Sequence, residues 1–244
     1  MEIPWVEGDV PYLTTEQMVE VDRAMIEDYG IDLTRMMENA GRNLAHLARK
    51  RFLDGDPRGK TVVVLAGTGG NGGGALVAAR RLHGYGAEVR VAVTAGDDRM
   101  TVVPGEQLAI LRALDVPITE HDLPYATADL IIDGIIGYSL RGAPRGRAAE
   151  LIQWAADAAA PVLALDAPSG LDTTTGTVFS PATAATATMT LALPKGGLDS
   201  AEAERIVGEL YLADISVPPE LYGREPLNLG VGAVFALSDI VRLA

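Results

Sequence analysis

Apolar residues fall along this chain in short continuous runs, separated by stretches with helical spacing. Residues 62–66 read Val-Val-Val-Leu-Ala, without polar alternation, which suits a strand buried on both faces of a parallel sheet. Runs over 88–94, 129–133, 161–165 and 186–193 predict four more strands, and 209–213 a sixth. Helical spacing predicts helices over 75–82, 104–114, 147–159 and 202–206. Upstream, Thr14-Thr15-Glu16-Gln17 has the pattern of a capping box, so a first helix runs to about Tyr29 and stops at Gly30. A second covers 34–52, with Met36, Met37, Ala40, Leu44 and Leu47 as its apolar stripe. The tail with Pro218-Pro219 reads as turns plus an edge strand near Val234. Strands alternating with helices imply parallel pairing, right-handed crossovers and helices on both faces of the sheet. No repeat or linker divides the chain, so the expectation is one domain over 1–244, with two leading helices to about 53 and the α/β core from about 60.

Between the first strand and its helix stand eight residues, 67–74, six of them glycine. A glycine-rich strand-to-helix connection aims backbone N–H groups and a helix N-terminus at an anion, usually a phosphate. The glycines are expected to admit close ligand approach and to adopt positive φ. In the helix that follows, Arg80 and Arg81 are expected to face away from the apolar side. Gly67, Gly69 and Gly72 formally match a dinucleotide fingerprint, while the missing Gly-Lys-Ser/Thr excludes a P-loop. Asn71 adds an amide oxygen in the middle of the stretch.

The net charge of −13 argues against nonspecific nucleic-acid binding and against docking on anionic membrane. It does not oppose a nucleotide ligand held by loop amides. With no cysteine there is no disulfide framework, thiolate nucleophile or zinc–thiolate site. The N-terminus, Met1 to Trp5, has no leader character, and no apolar stretch nears the roughly 20 residues that span a bilayer. A cytoplasmic protein is the expectation.

In a parallel sheet the loops at the C-terminal strand ends form the ligand crevice. Three such loops carry polar chemistry: 67–74 with Asn71, 133–142 opening on Asp133, and 166–172 with Asp166 and Ser169. Ser169 lies outside a G-x-S-x-G elbow and no histidine is placed to activate it, which disfavours a serine hydrolase. His46, His83 and His121 fall on helices or in a connection and read as surface or packing residues. Glu38-Asn39, set among apolar positions, must find partners and is a candidate support for the site.

Seven segments in order then resemble the NAD(P)H-hydrate epimerase family, the YjeF N-terminal domain. They are LTTEQMVEVDRAMIEDYGI from Leu13, MMENAGR from Met36, VVVLAGTGGNGGGALVAARRL from Val62, DGIIGYSLRG from Asp133, LDAPSGLDTTTG from Leu165, LPKGGL from Leu193 and ADISVPP from Ala213. The resemblance implies a Rossmann-like three-layer α/β/α fold with a mostly parallel central sheet. It implies interconversion of the R and S forms of hydrated NADH or NADPH at the C6 hydroxyl centre, in nicotinamide cofactor repair. By family position Asn71, Asp133 and Ser169 would bind a potassium ion through oxygen. Asp166 would contact substrate and act as acid/base and iminium stabiliser. Gly70, Asn71, Gly72, Gly73 and Gly74, with Gly137, Tyr138, Ser139, Leu140, Arg141, Gly142 and Ala143, would contact the dinucleotide. A dehydratase in the same pathway would be a separate protein, and the resemblance implies a homodimer. The sequence departs from the family's N-N-G-G-D-G loop, reading Gly-Asn-Gly-Gly-Gly-Ala over 70–75. Gly74 thereby removes a carboxylate expected beside the ligand.

Two rival functions remain at this level. One is a non-catalytic relative that binds a nucleotide derivative or a partner protein, which the altered loop favours. The other is a nicotinamide-dependent dehydrogenase, for which the second strand ends on Thr94-Ala95-Gly96 without a ribose-binding acid and Asp97 comes late.

Overall fold

The structure is a computed structural model that describes residues 3–122 and 127–243. Met1 and Glu2, part of the segment read for a leader, lie outside the described residues. Two helices lead, α1 (Thr15–Glu27) and α2 (Leu33–Arg51). The core follows as β1 (Thr61–Ala66), α3 (Gly70–Gly84), β2 (Glu88–Val93), α4 (Val102–Ala113), β3 (Ile118–Thr119), β4 (Leu130–Gly134), α5 (Gly146–Asp157) and β5 (Val162–Leu165). It closes with β6 (Ala187–Leu191), α6 (Glu204–Val207), β7 (Glu209–Ala213), α7 (Pro219–Tyr222) and β8 (Ile240–Arg242).

The strands form one sheet in the order β3-β2-β1-β4-β5-β6-β7-β8, parallel throughout except for β8 against β7. The chain winds outward from β1 to β3 and then returns to lay β4 on the other side of β1. The strand order therefore reverses between β1 and β4, and ligand crevices form outside such a reversal. Helices α2, α3 and α4 pack on one face through Met36, Leu44, Leu76 and Leu108 against Val62, Val64 and Ile132. On the opposite face α5 packs Leu151, Ile152 and Ala155 against Val63, Leu65 and Ile131. The continuous apolar runs follow from this double coverage, which leaves neither strand face to water.

The capping box forms as expected: Gln17 N–H donates to Thr14 Oγ1 at 3.1 Å and Thr14 N–H to Gln17 Oε1 at 2.9 Å. Helix α2 is capped by Asp32, which accepts from Arg35 N–H at 2.9 Å, so it starts before Thr34. The edge strand expected near Val234 lies instead at β8, where Ile240 and Val241 bury their side chains and the backbone pairs with β7. Val234 sits in a turn, half-buried against the core. The two-residue β3 was too short to show as an apolar run.

The glycine stretch is mostly helix where a loop was expected. The connection after β1 is only Gly67-Thr68-Gly69, and α3 begins at Gly70. None of these glycines has positive φ. Their role is close packing: a Cβ on Gly67 would stand 2.0 Å from Ile135 O, and one on Gly72 would stand 1.9 Å from Gly67 O. Tertiary packing overrides glycine's poor helix propensity here. Arg80 and Arg81 do not simply face away. Both donate to Glu38, which also accepts from Gln107, tying α2, α3 and α4 together.

Candidate active site

Helix α3 opens against the end of β1 with Gly69 at its N-cap and no side chain capping it. The first amide to enter the helical ladder is Gly73 N–H, which donates to Gly69 O at 3.1 Å. The N–H groups of the turn before it are thus free of the ladder, at the positive end of a 15-residue helix. Asn71 sits in this turn. Its Oδ1 and Nδ2 are both buried, and neither has a hydrogen-bond partner among the described residues. A buried amide left this way is unfavourable by roughly 1–3 kcal/mol unless a ligand or ion completes it.

Asp133 and Ser169 lie beside this turn, brought there by β4 and the loop after β5. Asp133 is fully buried. Its Oδ1 accepts from Ser169 Oγ at 2.6 Å and from Ile135 N–H at 3.2 Å, and its Oδ2 accepts from Ser169 N–H at 2.8 Å. Burial pushes its carboxyl above the usual range, against the pull of those hydrogen bonds. None of these donors carries a positive charge. Ser169 Oγ also accepts from Ile136 N–H at 2.9 Å, which fixes the start of the 136–142 loop. A carboxylate, a hydroxyl and an unsatisfied amide oxygen make an all-oxygen donor set suited to a hard cation.

Asp166 follows β5 directly. Its backbone takes the left-handed conformation, φ 66°, stabilised by its N–H donating to Met189 O at 2.7 Å. A non-glycine residue held there is strained, and such positions cluster at functional sites. The carboxylate is engaged on both oxygens. Oδ2 accepts from Tyr138 N–H at 3.0 Å. Oδ1 accepts from the Lys195 ammonium and, at 3.4 Å, from Thr190 Oγ1. Lys195 is fully buried and also donates to Leu191 O at 2.8 Å and Thr190 Oγ1 at 3.3 Å.

Gly137 completes the floor. A Cβ there would lie 3.0 Å from Asp166 Oδ2 and 3.2 Å from Asn71 Oδ1, so only glycine leaves the gap between them open. Above it is a cavity of about 220 Å³ whose wall includes Asp22, Asn71, Gly137, Tyr138, Asp166 and Lys195. A second cavity of about 550 Å³ shares Tyr138 and Ser139 with it and runs on past Leu140 and Arg141. Tyr138 OH donates to Asp22 Oδ2 at 2.6 Å, anchoring the loop to α1.

The structure therefore puts Asn71 and Asp166 on the wall of the inner cavity, with Gly70, Gly137, Tyr138, Ser139, Leu140 and Arg141 on the walls of the two cavities, while Asp133 and Ser169 are fully buried beneath the Ile135 and Ile136 amides and line neither cavity. Gly72, Gly73 and Gly74 pack elsewhere: against Gly67, against Val103 and Pro104 of α4, and against Leu165, Met37 and Ala40. Gly142 and Ala143 lie beyond both walls. Glu38 is spent on Arg80 and Arg81, while Asn39 donates to Ser216 Oγ at 2.8 Å. Lys195 and Asp22 were not singled out from sequence. Both lie inside segments that carry the family resemblance, and Lys195 is in addition one of only three lysines in an arginine-rich chain and follows a proline. Asp97, the late acid on the dehydrogenase reading, is paired with Arg112.

A mostly parallel α/β sheet with a buried polar crevice at its order reversal defines a Rossmann-like protein built to hold a small ligand. Residues 33–197 match the family described as YjeF-related protein N-terminus, and the chain belongs to that family. It is 43 % identical over 237 residues to a protein of Dehalogenimonas lykanthroporepellens named NAD(P)H-hydrate epimerase, covering 95 % of this chain and 92 % of that one. It is 37 % identical to a protein of the same name from Truepera radiovictrix, covering 81 % of this chain and 88 % of that one. A bifunctional NAD(P)H-hydrate repair enzyme of Moorella thermoacetica is 34 % identical over 88 % of this chain, which spans only 42 % of that longer protein. The fold is that of the yeast protein ynu0, with a TM-score of 0.82 at 23 % identity over 96 % of this chain and all of that one.

Proposed function

We propose that this chain interconverts the R and S forms of hydrated NADH or NADPH at the C6 hydroxyl of the reduced nicotinamide ring. The observation that carries the reading is Asp166, a buried carboxylate locked by Lys195 and the Tyr138 amide on the wall of a ring-sized cavity. The substrate centre is a hemiaminal. Its ring nitrogen expels the hydroxyl to leave an iminium, and water returns to either face. A fixed carboxylate in a water-poor site stabilises that cation. The free amides at the start of α3 suit the pyrophosphate, and the second cavity past Ser139 and Arg141 suits the rest of the dinucleotide.

Asn71, Asp133 and Ser169 fit a potassium ion, on the ground that, among the described residues, Asn71 is orphaned and no cation is paired with Asp133. The ion would supply charge neutralisation at Asp133 and draw the three loops together. The dehydration that completes repair is assigned to a separate activity, such as the one implied by the bifunctional relatives.

The altered loop favours one other reading, a relative that binds a nucleotide derivative or a partner protein without turnover. Incubation of S- or R-hydrated NADPH with the protein in potassium buffer, with the epimers resolved by chromatography, separates the two. Epimerisation proportional to protein and abolished by Asp166→Asn supports the epimerase. A rate equal to the no-protein control, with dinucleotide still bound, supports the binding relative.

A further inference from the structure

Epimerisation needs a proton delivered to the departing hydroxyl and another taken from the arriving water. Four ionisable side chains line the inner cavity: Asp22, Tyr138, Asp166 and Lys195. Three are already committed. An ammonium has three donors, and those of Lys195 go to Asp166 Oδ1, Thr190 Oγ1 and Leu191 O. Asp166 holds Lys195 on one oxygen and an amide N–H, which cannot give up its proton, on the other. That makes it a fixed anion suited to face a cation and poorly placed to trade protons. Tyr138 OH is spent on Asp22. Asp22 alone keeps an oxygen, Oδ1, with no hydrogen bond from the described residues.

Resting on the epimerase reading, we infer that Asp22 is the general acid and base of the reaction, held in place by Tyr138, while Asp166 serves only to stabilise the iminium. Protonated Asp22 gives its proton to the C6 hydroxyl. The C6–O bond breaks, water leaves, and the nitrogen lone pair forms the N1=C6 bond. Water then adds to C6 from either face as the N1=C6 pair returns to nitrogen, and its surplus proton goes back to Asp22, directly or through a second water. Atoms and charge balance, and nothing is oxidised or reduced.

Burial supports the role by pushing the Asp22 carboxyl above the usual range. The charge of Asp166 pushes the same way, and the Tyr138 hydrogen bond and Lys195 pull back. Tyr222 of α7 also senses the Asp22 charge. A carboxyl raised toward neutrality has both its forms within reach for proton transfer.

The alternative is that Asp22 merely anchors Tyr138 and its loop. Asp22→Asn decides, because the amide oxygen still accepts from Tyr138 OH. The expected result is a fall of about 100-fold or more in kcat, the usual worth of a positioned acid/base, with melting temperature and dinucleotide binding unchanged. Tyr138→Phe provides a second arm. Loss of a hydrogen bond that favours ionised Asp22 should move the Asp22-dependent limb of the pH–rate profile to higher pH. Asp22→Asn turnover within threefold of the unsubstituted protein, or a Tyr138→Phe profile superimposable on it, overturns the inference while the epimerase reading stands. If the unsubstituted protein shows no rate above the control, the epimerase reading itself fails and takes the inference with it.

Discussion

Lys195 places its ammonium on Asp166 Oδ1 at the C-terminal edge of the sheet, with the lysine side chain wholly buried and the aspartate nearly so. The pair faces a cavity, so its charge is presented to a ligand and not to water. Lys195→Met leaves Asp166 as a buried, unpaired anion. Removing one partner of such a pair costs about 3–5 kcal/mol. The expected outcome is a clear drop in denaturation midpoint together with loss of epimerisation, read by urea titration and by epimer chromatography. Unchanged stability would show that the pair is more open to solvent than the structure has it.

Gly74 stands where the family's usual loop carries an aspartate, yet a Cβ there would lie 2.9 Å from Leu165 Cδ2, 3.5 Å from Met37 Sδ and 3.6 Å from Ala40 Cβ. Gly74→Asp therefore crowds an apolar contact and buries a carboxylate. Overpacking of this kind costs about 1–3 kcal/mol, and an unpartnered polar group adds to it. A lower melting temperature with no gain in turnover is expected. Higher activity at unchanged stability would mean that the side chain reaches the crevice.

Potassium should raise the melting temperature if Asn71, Asp133 and Ser169 hold it, because a ligand that binds only the folded state stabilises it by RT ln(1 + [L]/Kd). Choline chloride at equal ionic strength should not. Asn71→Leu should erase the difference between the two salts. Equal shifts in both salts would remove the cation from this site.

Glu209 of β7 accepts from Arg51 Nε at 2.8 Å and Nη2 at 3.1 Å, and from Tyr211 OH at 2.8 Å, joining the end of α2 to the sheet. Chiefly the Arg51 hydrogen bond holds its carboxyl below the usual range. A depressed folded-state value means stability present above the unfolded carboxyl range and lost as pH falls through the depressed value. Glu209→Gln should lower the melting temperature at pH 7 and flatten its decline toward acid. Parallel melting curves for both proteins from pH 7 to pH 3 would contradict this.

Local pattern by itself determined the succession of elements. The apolar runs at β1, β4, β5 and β6 and the capping box of α1 each reflect forces acting over a few residues, and each stands where its pattern put it. The same pattern set Asp133 at the end of β4 and Asp166 directly after β5, hence in a parallel sheet's crevice. Tertiary structure decided what those acids meet. Lys195 reaches Asp166 across 29 residues of chain, and Tyr138 reaches Asp22 across 116. It also turned the glycine stretch from loop into helix, because the first turn of α3 must lie within van der Waals reach of Gly67, Val103 and Leu165. Periodicity reports which face of an element is apolar. It carries no information on which distant side chain completes a buried charge, since that is fixed only when the sheet order brings separate strand ends together.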